Sequence, residues 1–373
     1  MIGATTRFLA RFAAPAQDPA TERELLVPVG RERRDATLFL PPDPVAARPA
    51  WVLLQGVTVP GRHHQGVRRM ARALAAAGHV ALVPEVPAWT ALRVEPDQTE
   101  PTLRGALALL DRLPEVDGRG VGLLGFSVAV PWALGVAAGE LGRRLRVVVG
   151  LGGYGDPRRM TRAMVVGDHE WRGRRYAYCP DPYGRWIVGA DLLPRLDGDA
   201  YGTAEERAAA GRALHRLAVA AGRNGALAAE PVYDRLIGDL RADVPPGARG
   251  AWDLLAPPSH TPVPDLAAGM ALADTLAEAG RRAHPGFDPT GRLAGLRVPV
   301  ILLHGRADTL IPFTETLRLA ALLPAPARVH VLVTRAVGHA KTAGAGRPRN
   351  PLALASEAAK FALAVDRMLR AVA

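Results

Sequence analysis

Val121-Gly122-Leu123-Leu124-Gly125-Phe126-Ser127-Val128-Ala129 reads as an apolar strand that runs straight into a serine flanked by small residues. A helix is expected to start at once, because Pro131 falls in what would be its first turn, where a missing N–H leaves no hydrogen bond unmade. Such a strand–turn–helix junction lifts a side chain onto a sharp bend. The small residues two positions to either side, Gly125 and Ala129, let neighbouring backbone pass close. The pattern is G-x-S-x-G with its last glycine replaced by one methyl more.

The rest of the chain extends this junction into a regular series. Two β-like runs, 23–29 and 35–40, are joined by a charged turn and closed by the loop Pro41-Pro42-Asp43-Pro44. Strands are then expected at 51–54, 80–83, 121–126 and 145–149, separated by helices at 65–77 (stopping at Gly78), 101–113 and 128–141. The rhythm breaks near Tyr154. It resumes with a strand at 298–303, a helix at 314–323, a strand at 328–333 and a closing helix at 352–369. Strands alternating with helices of this length imply an α/β fold. We expect a mostly parallel, doubly wound sheet of about eight strands with helices on both faces.

The division that follows is a core of residues 1–154 and 296–373 with an insertion, 155–295, before the last two strands. The insertion far exceeds the roughly two to six residues usual for a connection in such a fold. It has structure of its own. Thr203-Ala204-Glu205-Glu206 is a capping-box pattern opening a helix to about Ala221, and a second helix is expected from Asp265 to Arg281. Every tyrosine lies inside or at the lip of this segment: Tyr154, Tyr176, Tyr178, Tyr183, Tyr201 and Tyr233. With Trp171 and Trp186 they have two readings, as the lining of an apolar substrate pocket or as the core of a small module.

Composition narrows the class. Hydrophobic residues make up 49% of the chain and charged ones 22%, which suits a well-packed core rather than disorder. The net charge of +11 is carried almost wholly by arginines spread along the chain, with no accompanying nucleic-acid motif, so a solvated basic surface is expected and not a nucleic-acid partner. Cys179 is the single cysteine, which excludes an intrachain disulfide framework and a multi-cysteine zinc site. Arg7 and Arg11 interrupt the apolar N-terminal stretch, leaving no secretory-type core. No 18-residue apolar run exists elsewhere, so stable membrane insertion is not expected beyond an amphipathic N-terminal arm. The default location is cytoplasmic.

Two further segments complete a chemical set. Leu302-Leu303-His304-Gly305-Arg306-Ala307-Asp308 puts a carboxylate just past a late strand, and Gly338-His339 puts an imidazole in the loop after the last strand. In a parallel sheet the carboxyl ends of the strands share one edge, where ligands bind, so Ser127, Asp308 and His339 can meet there. In type, order and strand context these segments resemble the α/β-hydrolase superfamily, over essentially the whole chain outside the insertion. The resemblance implies an esterase- or lipase-like serine hydrolase acting through an acyl-enzyme. Ser127 is then the nucleophile, His339 the general base and later acid, and Asp308 the group that orients the imidazole. It also implies oxyanion donors at the backbone N–H of Val128 and of Val57, in Gln55-Gly56-Val57, where the family often has His-Gly-x. Gln55, Phe126, Tyr154, Trp171 and Trp186 are the candidates for the substrate pocket. A small acyl or ester substrate is implied, with no metal and no organic cofactor.

Other readings stay open. An acyltransferase and a non-catalytic ligand-binding protein use the same fold. Asp156 stands where some hydrolases draw their acid, although Asp308 fits the chain order better. His63 and His64 beside the proposed oxyanion loop are read as surface or capping groups, His304 and His79 as structural, and Cys179 as incidental. Gly120-Val121-Gly122-Leu123-Leu124-Gly125 and Gly150-Leu151-Gly152-Gly153-Tyr154-Gly155 match G-x-G-x-x-G literally. Neither sits in the strand–turn–helix context of a dinucleotide site.

Overall fold

A computed structural model of the chain describes residues 3–14, 21–42, 47–224, 227–335 and 351–373. Helix α1 (Ala4–Ala13) precedes an antiparallel pair, β1 (Thr21–Val29) and β2 (Glu32–Leu40), which turn at Gly30 with φ +60°. Next come β3 (Arg48–Leu54), α2 (Gln65–Ala76), β4 (Val80–Pro84), the single-turn α3 (Pro87–Thr90), α4 (Thr99–Leu110), β5 (Val116–Phe126), α5 (Ala129–Ala137) and β6 (Leu145–Leu151).

The chain from 152 to 299 then leaves the sheet. It holds α6 (Pro157–Val166), a short ribbon of β7 (Glu170–Trp171) and β8 (Arg174–Arg175), α7 (Pro182–Leu192), α8 (Ala204–Asn224), α9 (Asp234–Asp243), α10 (Arg249–Leu255) and α11 (Leu266–Ala283). The core is completed by β9 (Val300–Gly305), α12 (Phe313–Leu322), β10 (Val329–Thr334) and α13 (Pro351–Val372).

Eight strands form one sheet in the order β1-β2-β4-β3-β5-β6-β9-β10. Only the β1–β2 and β2–β4 pairs are antiparallel, and every other neighbour is parallel. The fold class is the one expected from the sequence: an α/β-hydrolase arrangement, mostly parallel and wound on both faces. Strand alternation divides the core. Trp51, Leu53, Leu124, Val147, Val149, Ile301 and Leu303 face α1, α2 and α13. Val52, Leu54, Leu123, Val148, Val300 and Leu302 face α4, α5, α12 and the 152–299 segment.

Helix starts follow side-chain capping. His64 Nδ1 accepts from Gly66 N at α2, and Asp156, Asp181 and Asp265 cap α6, α7 and α11. The expected capping box is made in full: Glu206 accepts from Thr203 N at 2.9 Å, and Thr203 Oγ1 accepts from Glu206 N at 3.3 Å.

Three features depart from the sequence expectations. Helix α5 stops at Ala137, and a 3-10 stretch, Glu140–Arg144, replaces its last turn. Helices α6, α7, α9 and α10 and the ribbon lie in stretches where no element is expected, because each is too short to establish a period. The N-terminal arm is a helix whose apolar face is already occupied. Phe8 is fully buried, Phe12 lies 5.6 Å from Phe361 between ring centroids, and Arg7 bonds the carbonyls of Ala76 and Ala77 at the end of α2. Among the described residues no helix is long and apolar enough to cross a membrane.

Candidate active site

Ser127 sits between β5 and α5 with φ +55°, a left-handed backbone conformation rare for a residue with a side chain. The strain, on the order of 1–2 kcal/mol, is held by a fixed frame: Ser127 N donates to Leu151 O at 2.7 Å and Ser127 O accepts from Val130 N at 3.1 Å. Small residues allow the bend. A Cβ on Gly125 would lie 3.2 Å from Ala129 O and from Val130 Cα. On Gly150 or Gly153 it would strike Val130 at 2.5 or 2.6 Å. Helix α5 is thereby pressed against β6. The two G-x-G-x-x-G matches are accounted for as packing: Gly122 makes room for the Trp51 indole and Gly155 for the backbone of α12 at Leu319.

The loop after β3 passes directly beside this bend. A Cβ on Gly56 would lie 3.1 Å from Ser127 Cβ and 3.4 Å from Phe126 O. The N–H groups of Val57 and Val128, either side of the bend, donate to no backbone carbonyl among the described residues. Val128 also opens α5, where the helix dipole favours negative charge. Gln55 is fully buried, and both atoms of its amide lack a hydrogen-bond partner. Phe126 and Ser127 are half-buried.

Asp308 follows β9 at the same edge of the sheet and is nearly buried. Its Oδ1 accepts from Leu310 N (2.9 Å) and Ile311 N (3.0 Å), and its Oδ2 lies 3.3 Å from His304 Nε2. His304 is wholly buried between Thr316 Oγ1 (2.6 Å) and Ile311 O (2.8 Å), so it braces the acid loop from below. His339 lies outside the described residues. Asp156, the rival acid, uses its carboxylate to accept from Arg158 N and Arg159 N at the start of α6. Neutral His79 accepts from Trp51 Nε1 at 3.2 Å, and burial lowers its pKa to about 4. Cys179 is exposed.

The aromatic candidates separate. Tyr154 is fully buried, donating to Phe287 O (2.6 Å) and accepting from Trp132 Nε1 (3.0 Å), and burial raises its pKa. It joins the sheet to the 152–299 segment as core. Trp171 lies in the ribbon between the guanidiniums of Arg172 and Arg318, 5.3 and 5.1 Å from its ring. Trp186 is fully buried edge-on to Tyr233, with its indole N–H unpartnered.

Sequence reasoning missed a group beside the acid loop. His169 stacks on Tyr176 (4.9 Å) and meets Tyr178 and Phe313 edge-on (5.2 Å each). Neither of its ring nitrogens has a partner, and burial, with His304 and Arg318 nearby, lowers its pKa to about 4. Tyr178 Oη is also buried without a partner. Asp181 N donates to Thr309 O at 2.8 Å, fastening this stretch to the acid loop. The Asp181-Pro182 pair that caps α7 was the one local signal for it.

No family model matches the chain, and no curated protein sequence matches it. Solved structures do. The chain is similar to 2,6-dihydroxy-pseudo-oxynicotine hydrolase at 16% identity and TM-score 0.49, covering 98% of this chain and 71% of that one. It is similar to the acylaminoacyl peptidase of Pyrococcus horikoshii at 12% identity and TM-score 0.48, covering 95% of this chain and 43% of that one. It is also similar to the esterase domain of a Rhodothermus marinus protein at 13% identity and TM-score 0.45, covering 93% and 98%.

Proposed function

We propose that this chain is a serine hydrolase that cleaves an ester or related acyl bond of a small molecule through an acyl-enzyme. The observation that carries the reading is the bend at Ser127, held at φ +55°, beside the N–H groups of Val57 and Val128, which donate to no backbone carbonyl among the described residues. A serine hydroxyl is a weak nucleophile until a base takes its proton. In this reading His339 is that base, Asp308 fixes its tautomer and stabilises the imidazolium, and the two N–H groups receive the oxyanion. Two backbone N–H bonds and a histidine contact already hold the Asp308 carboxylate, so it can orient a partner without moving.

In the same reading residues 155–295 form a cap on a core of 1–154 and 296–373, and Gln55, Phe126, Tyr154, Trp171 and Trp186 are the pocket candidates. The buried, unpartnered amide of Gln55 beside Gly56 supports its place there. Fluorophosphonate labelling tests the reading. Wild-type protein should be labelled, and Ser127→Ala and His339→Ala should not. Equal labelling of Ser127→Ala would refute it.

A further inference from the structure

The acid loop is held from beneath by a histidine whose ring protons can be counted. His304, near the end of β9, is wholly buried, and each of its ring nitrogens faces oxygen at hydrogen-bond distance. Nε2 lies 2.8 Å from Ile311 O and 3.3 Å from Asp308 Oδ2. The carbonyl can only accept, so Nε2 carries a hydrogen. Nδ1 lies 2.6 Å from Thr316 Oγ1 on α12. A threonine hydroxyl has a single hydrogen, and this one is directed at Gly153 O, 3.1 Å away. Gly153 is buried, and its carbonyl accepts from no other group among the described residues. Turning the threonine hydrogen to Nδ1 would strand that carbonyl, and buried backbone acceptors are rarely left unpaired. Thr316 Oγ1 therefore accepts, and Nδ1 donates as well.

A ring that donates from both nitrogens is an imidazolium. A buried cation is costly unless it meets an anion, and the nearly buried Asp308 carboxylate supplies one. The other ionisable groups on the surrounding elements are engaged elsewhere. Glu315 on α12 accepts from the N–H groups of Gly155 and Asp156 and pairs with Arg318. Glu357 on α13 accepts from Thr334 Oγ1 and Arg335 N at the end of β10. His169 and Tyr178, on the side of the 152–299 segment, are kept neutral by burial. The Arg306 guanidinium lies over the Phe313 ring. His79 gives the contrast. It too is buried, but it accepts from the Trp51 indole, and burial lowers its pKa to about 4, so that ring stays neutral.

We propose that His304 is a positioning residue in its doubly protonated form, an imidazolium that pairs with Asp308 and moderates the charge this acid presents to the base, His339. The protonation state rests on hydrogen-bond geometry, and its consequence for catalysis rests on the serine-hydrolase reading. A bare carboxylate favours the protonated form of a neighbouring imidazole. A carboxylate already shared with a buried cation favours it less. His339 then releases its proton at lower pH, and the enzyme keeps a working base further into the acid range. The same pair fixes the acid loop, because two backbone N–H groups hold Oδ1 of Asp308 while the imidazolium faces Oδ2.

Two measurements test this. The first reads the ring itself by nuclear magnetic resonance of protein carrying isotope-labelled histidine, with no substrate present. At about pH 8, where a free imidazole is neutral, the ring of His304 should show two protonated nitrogens, and its signals should vanish in His304→Gln. One bare nitrogen on that ring overturns the proposal. The second is the pH profile of kcat/KM for a 4-nitrophenyl ester. Glutamine can keep an N–H donor towards Ile311 O but not the charge, so the acid limb of the profile should move up by about 0.5–1.5 pH units in His304→Gln. A purely structural histidine would lower the melting temperature and the rate at every pH and leave the limb in place, and that result overturns the proposed effect on the base. Should His304→Gln not fold, Thr316→Val, which removes the acceptor for Nδ1–H, should displace the same ring signals and move the limb in the same direction. If no ester is hydrolysed and Ser127 resists fluorophosphonate, the hydrolase reading fails, whereas the ring spectrum still decides the protonation state.

Discussion

The two faces of the sheet are covered by chain of different character. One carries α1, α2 and α13, drawn largely from the chain ends; its core is apolar, and polar contacts such as Arg68–Glu22, Arg72–Glu22 and Thr334–Glu357 fall on the two edge strands, β1 and β10. The other carries α4, α5, α12 and the whole 152–299 segment, and there the unpartnered imidazole of His169, the Tyr178 hydroxyl and the Arg185 guanidinium are found. The first face has the economy of a scaffold. The second holds buried polar groups that the fold itself leaves without a hydrogen-bond partner.

Substitutions in the two layers should separate these roles. Trp186→Ala and Phe8→Ala each empty a fully buried aromatic site and should each cost about 3–5 kcal/mol in denaturant unfolding. Fluorophosphonate labelling per folded molecule should survive Phe8→Ala and fall in Trp186→Ala. Equal loss in both would erase the distinction. Gly155→Ala drives a methyl to 2.5 Å from the Leu319 backbone nitrogen and should cost about 1–3 kcal/mol, whereas Gly238→Ala, with open space around it, should be stabilising or neutral.

The faces should also differ in pH response. Glu315 on α12 accepts from the N–H groups of Gly155 and Asp156 and pairs with Arg318 at 3.1 Å, yet burial raises its pKa to about 7. An acid whose folded pKa is raised adds stability that is full below its unfolded value, near 4.5, and is lost as pH rises through 7. Melting temperature should therefore fall across that window by an increment that Glu315→Gln removes. His79, between Trp51 and α1, has the opposite sign. Its folded pKa of about 4 lies below the ordinary value of 6.5, so stability is lost as pH falls from 6.5 towards 4. His79→Gln, which keeps an acceptor for Trp51, should reduce that acid loss. His169 acts in the same direction on the other face, so the reduction should be only partial.

Much of the scaffold was legible in the sequence because its signals are local. The strands around 51–54 and 121–126 are apolar runs closed by turns, Ser127 lies between small residues, and Thr203 to Glu206 carries its cap within four positions. The short helices α6 and α7 escaped because their first turns are marked only by an aspartate and a proline, and too few turns follow to establish a period. The partners of Tyr154 were hidden for a different reason. Its position after β6 suggested a pocket, but its hydroxyl is satisfied by Phe287 and Trp132, which lie distant in sequence on one side and in a neighbouring helix on the other.

The apolar layer runs without a seam from Val52 and Leu123 through Trp132 to Trp186 and Leu272. Residues 152–299 are therefore no detachable module. Excising them should expose the apolar side chains of that shared cluster and leave a remnant prone to aggregate.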